Sequence, residues 1–137
     1  MRAPRVLPVI RHFSPRVLAV IAIGGIFGAL ARVAIAEAFG SGSSEQLFAT
    51  LAVNISGAFA IGVIFPWLNS RKANPLLQPF LITGVLGGFT TFSTFAADVV
   101  LTESTIAVTL LYIGVTLVAG LLAVPLGTAL FRAVNSS

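Results

Sequence analysis

Four long apolar stretches decide what this chain can fold into. Spanning a bilayer takes roughly 20 mostly apolar residues. Four segments reach that length: about Val17 to Phe39, Leu47 to Leu68, Leu76 to Val100 and Thr105 to Phe131. Only 9% of the 137 residues are charged and 57% are hydrophobic, whereas soluble domains carry about 25% charged residues. Such a chain has too little charge to cover a surface in water. The expectation is an all-α membrane protein of four transmembrane helices, with residues 1–137 as one integral membrane domain.

Local signals mark where those helices start. Ser14-Pro15 supplies an N-cap with proline at the first helical position. Ser43, followed three residues later by Gln46, predicts a capping box for the second span. Asn74-Pro75 opens the third, and Thr102 or Ser104 caps the fourth. The basic front of the first segment resembles a leader peptide, but its apolar run is too long and lacks an Ala-x-Ala-like end. A permanent helix is expected there, with Gly24, Gly28 and Ala31 forming a small-residue packing face.

Charge predicts the orientation. With four spans, the N-terminal tail, the middle loop and the C-terminus share one side. That side holds Arg2, Arg5, Arg11, Arg16, Arg71, Lys72 and Arg132, while the opposite loops hold only Glu37, Glu45 and Glu103. The positive-inside rule then places both termini in the cytoplasm. The formal charge of +4 is read as this topology signal and not as a nucleic-acid surface, because no basic patch is interleaved with aromatics. The absence of cysteine excludes disulfides and thiolate chemistry. His12, the sole histidine, sits in the polar tail, and no catalytic constellation or nucleotide motif is present.

Polar residues inside the spans carry the functional question. Arg32 lies well inside the first span, where a charge is costly. It either serves function there or snorkels outward to Glu37 or Glu45. Asn54, with Ser56 and Gly57 beside it, either locks helix packing or offers its amide to a ligand. The third span contains GGFTTFSTF, Gly87 to Phe95. Gly84, Gly87 and Gly88 weaken a helix, so a break is expected between about Gly84 and Thr91. Freed carbonyls can hold a cation, as unwound transporter helices do. Phe92 and Phe95 are spaced to share one helical face. Their positive ring edges, interleaved with the hydroxyls of Ser93 and Thr94, suit a small anion. In the fourth span Tyr112 and Thr116 share a stripe with Thr109 and Gly120 nearby. They form either a row of donors or hydroxyls bonded to their own helix.

Three segments together, GGIFGALAR (Gly24–Arg32), LAVNISGAFAIG (Leu51–Gly62) and GVLGGFTTFSTF (Gly84–Phe95), closely resemble the Fluc fluoride channels, also called the CrcB family. The resemblance covers all four spans. It implies an antiparallel dimer with two pores that passes fluoride selectively out of the cytoplasm, passively, and so gives fluoride resistance. It implies a structural sodium ion at the dimer interface, held by backbone carbonyls of Gly87 and Thr90. Phe92 and Phe95 would present ring edges to fluoride, Asn54 would donate to it, and Arg32 would stand near the aqueous vestibule. Ser93 and Thr94 would lie along the pore, and Tyr112 and Thr116 would carry a polar track. Gly120 replaces the Ser or Thr that many members place one turn later.

Homodimeric members insert in both orientations, which calls for a weak charge bias. The strong bias here points to a partner that is an oppositely oriented homologue in place of a second copy. A small multidrug exporter shares the size and helix count but would need a glutamate deep in the first span. Glu37 is too near its end. A purely structural subunit would explain the small-residue packing but not the hydroxyl-rich third span.

Overall fold

The computed structural model describes residues 14–71 and 73–135. Arg2, Arg5, Arg11 and Lys72, which enter the charge argument above, lie outside them, as does His12. The described chain runs through α1 (Pro15–Phe39), α2 (Ser43–Ser70), a π-helical segment (Pro79–Leu86), the short turn α3 (Gly87–Phe89), α4 (Phe92–Leu101) and α5 (Ile106–Asn135). Four helical spans are long and apolar enough to cross a membrane, the third being Pro79–Leu101. The spans begin one to four residues from the expected starts. Large apolar side chains such as Ile26, Leu30, Leu110 and Leu121 face outward, as a lipid-facing exterior requires.

The helix ends differ from expectation in three places. Ser14 stands at the N-cap position of α1 but makes no side-chain capping bond. The second span is entered at Gly42, with no side-chain cap. Ser43 is already helical, and the Ser43–Gln46 box does not form. Glu45 takes the space instead: its carboxylate lies against Gly42 and accepts from the Ser44 hydroxyl at 3.1 Å. Gly40, at φ 105°, makes the turn out of α1, an angle that favours glycine. At α5 neither Thr102 nor Ser104 caps the helix. Thr105 Oγ1 accepts from the Val108 N–H at 3.4 Å. Elsewhere Asn74 Oδ1 accepts from the Leu76 N–H at 2.9 Å, the local turn that Asn-Pro favours.

Two seams hold the bundle together. Along the first, α1 meets the π-helical segment and α3 backbone to backbone. A Cβ at Gly28 would overlap the Val85 carbonyl and sit 2.7 Å from the Phe89 nitrogen, and one at Gly84 would sit 2.8 Å from the Ile21 carbonyl. Ala31 is exposed and stands outside this seam. Along the second, α2 packs on α5, and each carries a proline, Pro66 and Pro125. Pro66 has no N–H to give the carbonyl of Gly62, four residues back. The Thr128 hydroxyl of α5 donates to that carbonyl at 3.0 Å, so the group does not face lipid unpaired.

Candidate functional site

The centre of the site is the residue pair between α3 and α4. Thr90 (φ −72°, ψ 155°) and Thr91 (φ −147°, ψ 120°) are both extended, inside a span that is otherwise helical. The Thr90 side chain bonds back to the Leu86 carbonyl at 2.9 Å. Thr91 caps α4: its Oγ1 accepts from the Thr94 N–H at 3.1 Å, a standard N-cap arrangement. Side chains from the neighbouring helices also reach this backbone. Asn54 Nδ2 donates to the Thr91 carbonyl at 3.0 Å, and Asn54 Oδ1 accepts from the Thr91 N–H at 2.8 Å. Arg32 Nε donates to the Gly88 carbonyl at 3.3 Å. The partner of Arg32 is thus third-span backbone, in place of Glu37 or Glu45.

A count of protons shows which donors remain for a ligand. Thr91 has one hydroxyl proton, given to Thr94 Oγ1 at 2.9 Å. Ser93, 3.2 Å from the same Thr91 oxygen, must then be the donor in that contact. The Thr94 proton is left over. Asn54 carries two N–H groups, and only one serves Thr91. Arg32 has five and spends one on Gly88. Thr116 Oγ1 donates to the Tyr112 carbonyl at 2.7 Å, the bond to its own helix that was the alternative reading of this stripe. Thr109 is tied to Ser104 and Thr105 at the start of α5 and lines neither cavity described next.

Two cavities flank Thr91, and it lines both. One, of about 410 Å³, opens where α1 ends and α2 begins, and is lined by Arg32, Thr50, Thr94 and Asp98 among others. The other, of about 250 Å³, is lined by Asn54, Thr90, Phe92, Phe95, Thr116 and Leu117. The leftover donors therefore fall on both sides: Arg32 and Thr94 border the first cavity, Asn54 the second. Gly120 lines neither, and the space beside it is open.

The two phenylalanines are brought together but are not equivalent. Their ring centroids lie 5.8 Å apart with planes tilted by 48°. Phe95 is buried and stacks on Tyr112 with centroids 5.5 Å apart, whereas Phe92 is 77% exposed. The Tyr112 hydroxyl donates to Asp98 Oδ2 at 3.0 Å, so this end of the fourth-span stripe is held by a carboxylate.

Asp98 and Thr50 belong to the site and were not singled out by the sequence reading, and Thr91 was named there only as the far bound of the expected break. Asp98 carried a usable signal. It is one of only four acidic residues, it sits one turn after Phe95 inside an apolar span, and an intramembrane carboxylate is a functional candidate by default. Thr50 carried none beyond its type, whereas Thr91 lay within the GGFTTFSTF stretch. Among the described residues no cluster of His, Cys, Asp or Glu could hold a metal. A cation here would rest on neutral oxygens.

Residues 19–128 match the model of the family described as "CrcB-like protein, Camphor Resistance (CrcB)". The chain belongs to the CrcB family. Every site residue named above falls inside the matched range. Among CrcB-family relatives, the fluoride-specific ion channel FluC 2 of Nocardia farcinica is 37% identical over 139 residues, covering 96% of this chain and 94% of the relative. The fluoride-specific ion channel FluC of Francisella tularensis subsp. mediasiatica is 38% identical over 117 residues, covering 80% and 90%. The FluC 2 of Thermobifida fusca is 46% identical over 83 residues, covering 60% and 62%. With four membrane-length helices and channels for relatives, the chain is a multi-pass membrane protein.

Proposed function

We propose that this chain is one subunit of a fluoride-selective channel, not an enzyme, that lets cytoplasmic fluoride leave down its electrochemical gradient and so confers fluoride resistance. The observation that carries this reading is the set of leftover donors on either side of Thr91 in a chain whose relatives are named fluoride-specific ion channels. Fluoride is small and strongly hydrated, so a dry path must replace its water with convergent donors. Arg32, Thr94 and the spare N–H of Asn54 are such donors. Thr116 lines the smaller cavity, whereas Ser93 and Tyr112 border neither cavity and stand beside them. All three have their protons engaged, so each must turn its hydroxyl to serve an anion. Phe92 and Phe95 add positive ring edges. Hydrogen fluoride enters from acidic surroundings as a neutral acid and ionises inside, and no coupled energy source is needed.

In this reading two subunits pack antiparallel and form two pores, both termini of this subunit are cytoplasmic, and the extended pair Thr90–Thr91 is the interruption of the third helix. The 77% exposure of Phe92 supports a second subunit lying over that face. A structural sodium ion would be held between subunits by the carbonyls of Gly87 and Thr90, where it would supply positive charge binding the two third spans together. The donor set suits a hard cation, which takes oxygen ligands. The side-chain bonds to the Gly88 and Thr91 carbonyls do not involve these two. Beside Gly87 a Cβ would meet only the Ile82 carbonyl, at 3.8 Å, so no neighbouring helix is pressed against this residue as α1 is against Gly84 and Gly88.

The partner is either a second copy or an oppositely inserted homologue, and the seven basic residues on one side favour the homologue. C-terminal reporter fusions should then appear on one side only; equal populations on both sides would favour the homodimer. The channel itself is tested by fluoride efflux from liposomes containing the purified protein, followed with a fluoride electrode beside a chloride control. Rapid fluoride-only release is expected. No release, alone or with the homologue, would exclude the channel reading.

A further inference from the structure

The Asn54 amide does something a pore-lining donor need not do. Its two ends take the N–H and the C=O of one residue, Thr91, at 2.8 and 3.0 Å. This is the pair of bonds that a neighbouring antiparallel strand would make to an extended residue. Thr91 is buried at 9% exposure, so its backbone groups need such partners at this depth. Three residues on, Gly57 faces the same place: a Cβ there would overlap Thr90 Cγ2 and lie 3.2 Å from the Phe89 ring. Positions i and i+3 share a helix face, so one face of α2 carries both the amide and the gap that lets it close in. From the other side, Arg32 of α1 holds the Gly88 carbonyl.

We propose that Asn54, brought within reach by Gly57, is a positioning residue that substitutes for a missing β-strand and holds Thr91 extended. This deepens the channel reading and rests on it for its functional consequence. An extended Thr91 sets the backbone beside the Thr90 carbonyl and fixes the first residue of α4, and hence where Phe92 and Phe95 stand. The two bonds also lock the amide plane, so the spare N–H has one fixed direction. The Asn-x-x-Gly pattern of the second span thus encodes a contact to the third.

The test compares Asn54→Ser with Asn54→Asp in the purified full-length protein, reading amide hydrogen exchange at Thr91 by NMR together with fluoride efflux. Serine keeps a hydroxyl donor but cannot bridge both backbone groups. Its Thr91 amide should exchange about tenfold faster, as loss of one buried hydrogen bond allows, and efflux should fall without recovery at high fluoride. Aspartate presents an oxygen to the Thr91 N–H in either protonation state but lacks the spare N–H. It should keep Thr91 protected while efflux falls. Unchanged protection in the serine variant, or lost protection in the aspartate variant, would overturn the proposal and leave Asn54 as a donor alone. The aspartate arm stands if the serine variant does not fold. A parent protein that moves no fluoride, with protection still lost in Asn54→Ser, would retain the clamp and remove the channel.

Discussion

Before Thr90 the third span holds its neighbours through backbone, and after Thr91 it holds them through side chains. Gly84 and Gly88 press against α1 with no side chain between. Past Thr91, α4 offers Ser93, Thr94, Phe95 and Asp98, and its ties run to Thr91 and to Tyr112 of α5. Backbone contact tolerates nothing larger than glycine and leaves no group to reorient. Hydroxyls and rings can turn. One span can thus carry a rigid anchor and an adaptable lining, with the extended pair as the joint between them.

The sharpest way to break this comparison is at the anchor. Gly28→Leu puts a branched side chain where even a Cβ would overlap the Val85 carbonyl. Overpacking against side chains costs about 1–3 kcal/mol, and backbone cannot turn aside as a side chain can. The expected outcome is loss of monodisperse protein in size-exclusion chromatography. A well-folded Gly28→Leu protein would show that the anchor is soft. In the adaptable half the effects should divide by burial. Phe95→Ala removes a ring that is 8% exposed and should cost about 3–5 kcal/mol of stability, with efflux lost. Phe92→Ala removes a 77% exposed ring. It should leave the subunit's fold intact in thermal denaturation while lowering efflux. Equal destabilisation by both would erase the distinction between the two rings.

These contrasts show which parts of the molecule could be read in advance. The four spans were legible because length and hydropathy are local. Gly84, Gly87 and Gly88 were read as helix-weakening, which is their intrinsic tendency. The extended residues, Thr90 and Thr91, lie at the far end of the stretch where a break was expected and not at the glycines. Gly84 and Gly88 serve contact with α1, a use set by a partner 60 to 63 positions away in sequence. The Asn54–Thr91 pairing was out of reach for the same reason, since it joins residues 37 positions apart. The Ser43–Gln46 box satisfied the spacing rule but lost to Glu45 folding over Gly42. Asp98 was hidden by the apolar run around it, although a carboxylate in a span is the residue that run most needs to explain.

A smaller effect tests how firmly the adaptable half is tied to α5. Tyr112→Phe keeps the ring against Phe95 but deletes the hydroxyl that donates to Asp98 Oδ2. An unsatisfied buried polar group costs about 1–3 kcal/mol, so thermal stability should fall by less than for Phe95→Ala. Efflux should change as well, because Asp98 borders the larger cavity. Unaltered stability and efflux together would mean the tie is dispensable.

The smallest effect is expected at Gly120, and it fixes where the lining ends. The residue lies two turns beyond Tyr112 on α5, the space beside it is open, and it borders neither cavity around Thr91. Gly120→Ser therefore meets no obstruction, and trading a helical glycine for serine stabilises by a few tenths of a kcal/mol, about half the glycine penalty. Its hydroxyl can bond the Thr116 carbonyl of its own helix, as Thr116 does with Tyr112. Thermal stability should rise slightly and fluoride efflux should stay at the parent rate. A clear gain in efflux would instead mean that the anion's path runs one turn past Thr116, and that the donor missing at Gly120 limits it.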